Sequence, residues 1–377
     1  MQVRRAYKFK LYKSKKTKHL YRQLGIASQV YNHCIALHKR YYRRYKKHLS
    51  KYHLQKHITK LKKHNKSWGL LGSQAIQDIT DRIERGYTLF FRNLKAGVKT
   101  APPGFKSRRR YKSFTLKQAG WGVSGNELRV GNHNFKFSKS RELEGLVKTV
   151  TLKRDYLGDF YVIFSCEVEE HPNRVASGKS VGFDFGLKNF LTSHEGAIIE
   201  TPQFYKNNIA AVKKANRNLS SKKKGSNNRR KALLHLARAH KKINNKRLDF
   251  QHKLARNLAQ EYDNIFVEDL NLKGMQKLWG RKISDLGFYS FLQLLQHHCN
   301  KAGAILTKVP RYFPSSKTCS NCEHILDSLS LKERFWVCPV CGSEHDRDIN
   351  AAINIFRVGA STLQIEGIRA ASAAISC

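Results

Sequence analysis

Acid is what this sequence lacks. Its 377 residues hold 27 Asp and Glu against 72 Lys and Arg, a formal net charge of +45. The first 77 residues contain no acid and 21 Lys and Arg, and residues 201–248 contain no acid and 15. Internal ion pairs cannot balance such stretches, so they are expected to face phosphate. The excess points to nucleic acid as the partner, without distinguishing DNA from RNA. Long apolar runs are also missing: none approaches the roughly 18 residues of a membrane helix, and MQVRRAYKFKLYK lacks the apolar core of a secretory signal. Cysteine is sparse, with eight in all. Cys34, Cys166, Cys299 and Cys377 are scattered, and the first three read as buried thiols. That usage fits a reducing, cytoplasmic compartment. Hydrophobic content of 40% still supports real cores, in two or three domains.

The other four cysteines are concentrated. Cys319-x-x-Cys322 and Cys338-x-x-Cys341 stand 15 residues apart, the spacing of a four-thiolate zinc ribbon. Each pair offers two sulfurs from a tight turn. Four thiolates close the coordination shell, so one structural zinc is expected, with His324 and His345 unneeded as ligands. Directly behind follows His-Asp-Arg-Asp-Ile-Asn, an acidic pair in an acid-poor chain.

Periodicity divides the remainder. Residues 6–13 alternate apolar and basic, as a strand with one wet face does. Helical spacing follows, with Leu20, Leu24, Ala27, Val30, Cys34, Leu37 and Tyr41 on one face. Further helices are expected over 51–64 and from Ser73, the latter turning Ile76, Ile79, Ile83, Tyr87 and Phe90 inward. Tyr41, Tyr42 and Tyr45 suit base stacking and partly buried packing about equally. Beyond Pro102-Pro103-Gly104 the period becomes two, in SFTLKQA, NELRV, HNFKFS, VKTVTLKR and DFYVIFSCEV. With residues 6–13 these make about six strands, enough for a small antiparallel barrel with the helices inserted after its first strand. The implied division is 1–14, 15–100 and 101–170 for the first strand, helical insert and remaining strands.

The second half alternates strands and helices. SVGFDFGLKNFLT reads as strand, turn and strand. Basic helices are expected over 203–260, with Leu233, Leu236, Ala237, His240, Ile243, Leu248, Leu254 and Leu258 as the apolar stripe. NIFVED is a buried strand ending in acids. A helix is expected over 284–302, burying Leu286, Tyr289, Leu292, Leu295 and Gln296, then a strand at 304–309, the ribbon at 319–341, and a final helix in 342–358. Residues 359–377 read as a disordered tail.

Asp184 lies inside an apolar run, where an unpaired carboxylate is costly. It is read as a metal ligand in preference to a turn cap. Glu268 closes a later strand, and Asp348 opens the last helix. Phosphodiester hydrolysis needs an activated nucleophile and a stabilised leaving oxygen, and carboxylates holding two Mg²⁺ provide both. The positive surroundings bring substrate in, and the metals relieve repulsion among the acids.

The order of these pieces resembles the TnpB (OrfB) proteins of insertion sequences, relatives of type V CRISPR effector nucleases. The stretches that carry the resemblance are RAYKFKLY, VYNHC, VGFDFGLKNFLT, NIFVEDLNLKGM, YFPSSKTCSNC and WVCPVCGSEHDRDINAAINI, spread over nearly the whole chain. The resemblance implies an α/β RNase H-like RuvC nuclease domain over 171–358, interrupted by the zinc ribbon and preceded by a wedge-type β-barrel carrying a helical insert. It implies Asp184, Glu268 and Asp348 as the RuvC acids, with Asp346 a competitor for the last position. It also implies a monomeric ribonucleoprotein whose guide RNA comes from its own element. This particle would cut double-stranded DNA beside a short target-adjacent motif, with cytoplasmic residence on the nucleoid. Gln77 resembles the position facing that motif. Arg43, Arg44, Lys222, Lys223, Lys224, Arg229 and Arg230 are the candidate phosphate contacts. A transposase that joins strands itself, or a nuclease-inactive RNA-guided regulator, would share many of these features.

Overall fold

Alternation of apolar and basic residues in QVRRAYKFK produces the first strand, β1 (Gln2–Lys10), with Tyr7 and Phe9 turned inward. The computed structural model describes residues 2–169, 175–330 and 332–363, in two units, Met1–Glu170 and His171–Cys377. No described helix is long and apolar enough to cross a membrane.

In the first unit, β1 is followed by α1 (Thr17–Tyr45), α2 (Lys51–His64) and α3 (Ser73–Lys95). The chain then forms β2 (Ser113–Leu116), β3 (Trp121–Ser124), β4 (Glu127–Val130), β5 (His133–Lys136), β6 (Leu146–Arg154) and β7 (Phe160–Glu169). The strands make an antiparallel four-stranded sheet, β1-β7-β6-β2, and a three-stranded sheet, β3-β4-β5. A bridge between Leu11 and Phe137 joins them. At that corner Phe137 lies 5.3 Å from Phe9 and 5.5 Å from Phe164, ring centre to ring centre. Among the described residues seven strands in two joined sheets thus stand where about six were expected; β3 is too short and glycine-containing to show a period. The helices are tied down by polar contacts. Buried Asp78 accepts the Thr115 N–H at 3.1 Å and pairs with Arg82 at 2.8 Å, while Arg82 donates to the Ser113 carbonyl.

The second unit begins with a meander, β8 (Ser180–Asp184), β9 (Asn189–Ser193) and β10 (Ile198–Glu200). Helices α4 (Ile209–Ser220) and α5 (Asn227–Glu261) lead to β11 (Asn264–Glu268). Then come α6 (Leu272–Leu286), α7 (Phe288–Ala302) and β12 (Ile305–Val309). The hairpin β13 (Phe335–Val337) and β14 (Glu344–Asp346) precedes the final helix α8 (Arg347–Thr362). The main sheet has the order β10-β9-β8-β11-β12, with β8, β11 and β12 parallel and β9 and β10 antiparallel. β8 and β11 are buried on both faces, which explains their unbroken apolar runs. One face is covered by α8, which needs two glycines to come close. A Cβ on Gly182 would meet the Ala352 carbonyl oxygen at 2.6 Å, and one on Gly359 would overlap the Phe266 ring.

Several expectations need correction. The helix expected over 284–302 is two: Gly287, at φ 65°, ends α6 and allows α7 to start at Phe288. The shift rotates the buried face to Phe288, Phe291, Leu292, Leu295 and Cys299, leaving Tyr289 and Gln296 exposed. The stripe on α5 narrows to Ala232, Ile243, Gln251, Ala255, Leu258 and Ala259, with Leu233 and His240 in solvent. The presumed tail starts too early, because α8 continues through Thr362 and buries Gly359 and Ala360. Residues 364–377, including Cys377, lie outside the described residues. Cys34, Cys166 and Cys299 are buried, as expected, and burial pushes Cys34 up to about 12.

Candidate active site and metal centre

Parallel pairing determines which acids can meet. β11 lies beside β8 with Val267 opposite Phe183. One step further, at the carboxyl ends of both strands, are Glu268 and Asp184. α8 crosses the same strands and carries Asp348 in its first turn. Each acid is half-buried. Burial pushes the Asp184 carboxyl up to about 7, with the Asp348 and Glu268 charges adding to the rise and the Phe185 N–H opposing it. Glu268 is also raised, by burial and then by Asp269. Three carboxylates sharing one end of a sheet, two of them adding to the rise of the third, are what a cation would neutralise. They are not drawn tight: among the described residues, the only group of three or more possible ligands with atoms within 4.8 Å of one another is the four cysteines.

The two acids flanking Arg347 have different partners. Asp346 is the N-cap of α8, its Oδ1 accepting the N–H groups of Asp348 and Ile349 at 2.9 and 3.0 Å. Asp348 instead pairs with Arg334, whose Nη1 lies 2.9 and 3.2 Å from its two oxygens. Arg311 donates to Asp269, next to Glu268, at 2.5 Å. Neither arginine was legible as a site residue, since nothing separates it from the other 70 cationic side chains until the fold brings it to an acid.

The ribbon cysteines converge. Sγ of Cys319 lies 3.6 Å from that of Cys341, and Sγ of Cys322 lies 3.5 Å from that of Cys338. A tetrahedral zinc with bonds of about 2.3 Å sets its sulfurs about 3.8 Å apart, so the four fit zinc. The Cys319 sulfur also accepts from the backbone N–H groups of Asn321 and Cys322. His345 Nε2 stands 3.1 Å from Cys319 Sγ, while its ring packs on Trp336. That histidine is a supporting contact to the ligand shell. The ribbon is fastened to α8 by amides: Asn350 and Asn354 donate to the Thr318 carbonyl at 2.8 and 2.6 Å, and Asn350 accepts the Ser320 N–H.

The candidate phosphate contacts occupy less uniform settings. Arg43 and Arg44 are exposed on the last turn of α1, with Arg44 over the Tyr45 ring. Lys223, Lys224 and Arg230 are exposed around the α4–α5 turn, and Lys222 is half-buried there. Arg229 is engaged, donating to the carbonyls of Leu219 and Lys222 to close that turn. Gln77 is half-buried on α3, and its carbonyl accepts the Thr80 hydroxyl.

Comparison with known proteins agrees on lineage. A family model for OrfB of IS605, described as a probable transposase, matches residues 163–278, and a Cas12f1-like TNB domain model matches 288–355. The chain is similar to a Streptomyces pristinaespiralis protein named "Putative RNA-guided DNA endonuclease", 31% identical over 98% of this chain and 92% of the relative. It is also 33% identical to the TnpB-like protein L79 of Acanthamoeba polyphaga mimivirus, over 59% of this chain and 46% of that one. In three dimensions it resembles Cas12f1, solved as a complex with guide RNA and target DNA, with a TM-score of 0.61 over 94% of this chain and 98% of that one; at 13% identity this likeness concerns the fold.

Proposed function

The chain belongs to the TnpB (OrfB) family, and from that premise we propose that it is an RNA-guided, metal-dependent DNA endonuclease acting through an RNase H-like RuvC site. The observation that carries the reading is the meeting of Asp184, Glu268 and Asp348 at one end of the parallel strands, with Asp184 raised to about 7 by burial and by the other two. Full-length similarity to a relative named as an RNA-guided DNA endonuclease supports it.

In this reading Asp184, Glu268 and Asp348 hold two Mg²⁺, whose chemistry when bound is to activate water and stabilise the leaving oxygen. Their hard oxygens suit that ion, which keeps some of its own waters. Asp346 fixes the start of α8 and so the direction in which Asp348 is presented. Arg334 compensates the Asp348 charge within the otherwise acidic corner. The four ribbon cysteines hold one zinc that braces the segment before Asp348, with no open position for chemistry. The acid-free stretches 1–77 and 201–248 grip phosphates of a guide RNA from the chain's own element and of its duplex with target DNA. Exposed Arg43, Arg44, Lys223, Lys224 and Arg230 are the leading contacts, in a single-copy ribonucleoprotein. Base pairing supplies most of the sequence specificity, and the protein reads a short motif beside the target, with Gln77 on the reading helix.

Asp184→Ala tests the site. The variant should lose cleavage of target DNA in Mg²⁺ by several orders of magnitude while binding guide RNA and target with unchanged affinity. Cleavage at the wild-type rate would remove Asp184 from the site.

A further inference from the structure

Two rings stand unusually free of the protein. Tyr312 is 90% exposed and Phe335 is 76% exposed, the highest values for any Phe, Tyr or Trp among the described residues. Isolated surface aromatics are ordinary, but these two are not placed at random. Each directly follows an arginine that pairs with a candidate site acid or with the residue next to one. Arg311 bonds Asp269, beside Glu268, and Tyr312 comes next. Arg334 bonds Asp348, and Phe335 comes next. Phe335 is also paired in register with Asp346, the cap of the helix bearing Asp348. Strand alternation buries Trp336 and turns Phe335 and Val337 outward. Tyr312 follows β12, whose last residue, Val309, accepts the Asp269 N–H and lies opposite Glu268. One ring therefore stands on the Glu268 side of the acids and the other on the Asp348 side.

From this placement we infer that Tyr312 and Phe335 are positioning residues that stack on unpaired bases of the DNA strand being cut, one on each side of the scissile phosphate. This inference rests on the endonuclease reading. The acids must receive a phosphate from a strand that is flexible once unpaired. Stacking a base on either side restricts that strand with no sequence preference, because every base has a π face. The two arginines hold the segments that present the rings, and their guanidinium groups offset the acids' repulsion of the incoming backbone. Stacking also accounts for exposure that no described residue covers.

The test uses the full chain with its guide RNA and single-stranded DNA carrying 2-aminopurine beside the cut position. Calcium replaces magnesium for the binding measurement. Wild type should quench the probe; Phe335→Ala and Tyr312→Ala should each lose quenching on one side and weaken strand binding roughly ten- to a hundred-fold. Phe335→Trp and Tyr312→Trp should restore both. In Mg²⁺ the alanine variants should raise KM more than they lower kcat and should spread the cut positions. Their melting temperatures should match wild type, since neither ring is packed. Equal quenching and equal KM in the alanine variants, with wild type cutting, would overturn the inference. A wild type that quenches but does not cut would instead overturn the endonuclease reading and leave the stacking established.

Discussion

Individual charges in this molecule owe their behaviour to their neighbours. Asp184 and Asp159 make the contrast. Both are shielded carboxylates, yet one is raised to about 7 and the other brought down to about 2. Burial raises each, but Asp184 faces two further acids, whereas Asp159 meets Lys10 at 3.0 Å and Lys13 at 3.3 Å, and their hydrogen bonds outweigh burial. Asp159 therefore stabilises the first unit when ionised, by on the order of 1–2 kcal/mol once solvent screening of the exposed lysines is counted. Because its folded value is depressed, the contribution is complete above the unfolded value, about 3.9, and is lost as pH falls toward 2. Asp159→Asn should thus melt lower than wild type at pH 6. The difference should shrink across pH 4 to 2, as followed by circular dichroism at low salt. A gap that stays constant with pH would mean the aspartate acts through geometry rather than charge.

Among elements, the ribbon and α8 behave as one assembly. Asn350 and Asn354 on the helix satisfy the backbone that carries Cys319 and Ser320. Buried amides of this kind are costly to leave unmade, about 1–3 kcal/mol each. Zinc bound by the four thiolates should therefore be felt at Asp348. Chelation, or Cys319→Ser, should release one zinc per chain, measured by a colorimetric indicator. It should also raise hydrogen exchange in residues 315–350 and lower cleavage, while exchange in β8 and β11 stays slow. A ribbon that keeps its protection without metal would show that packing of Trp336 and His345 suffices. Sequence spacing alone located this element, because the ligands are local. The break at Gly287 was less legible: both flanking segments are helical in pattern, and only a left-handed glycine separates them.

For the molecule as a whole, a charge of +45 is the dominant quantity. Ion pairs with the 27 acids leave most cations unmatched, so each phosphate neutralised releases counterions. RNA affinity should fall steeply with salt, by roughly a thousandfold or more between 50 and 200 mM if six or more phosphates are held. Filter binding over a salt series measures the slope, and charge-removing changes at Lys223, Lys224 and Arg230 should each reduce it by about one. Arg229→Gln should leave the slope unaltered and destabilise the α4–α5 turn, because its guanidinium is committed to two carbonyls.

The sequence by itself determined what depends on local spacing and on totals: a charge suited to a polyanion, a four-cysteine cluster that fits zinc, and apolar strands ending in acids. These follow from periodicity, ligand count and charge, none of which needs a fold. Tertiary structure decided which residues come to one end of the sheet. Asp184, Glu268 and Asp348 are far apart along the chain and come to the same end of the sheet only because β8 and β11 pair in parallel and α8 crosses them at Gly182 and Gly359. The same crossing leaves Asp346 as a helix cap and brings Arg334 to Asp348. Strand register puts Phe335 opposite Asp346, and Tyr312 and Phe335 each follow an arginine paired to Asp269 or Asp348, a placement no pattern in the neighbouring residues announces.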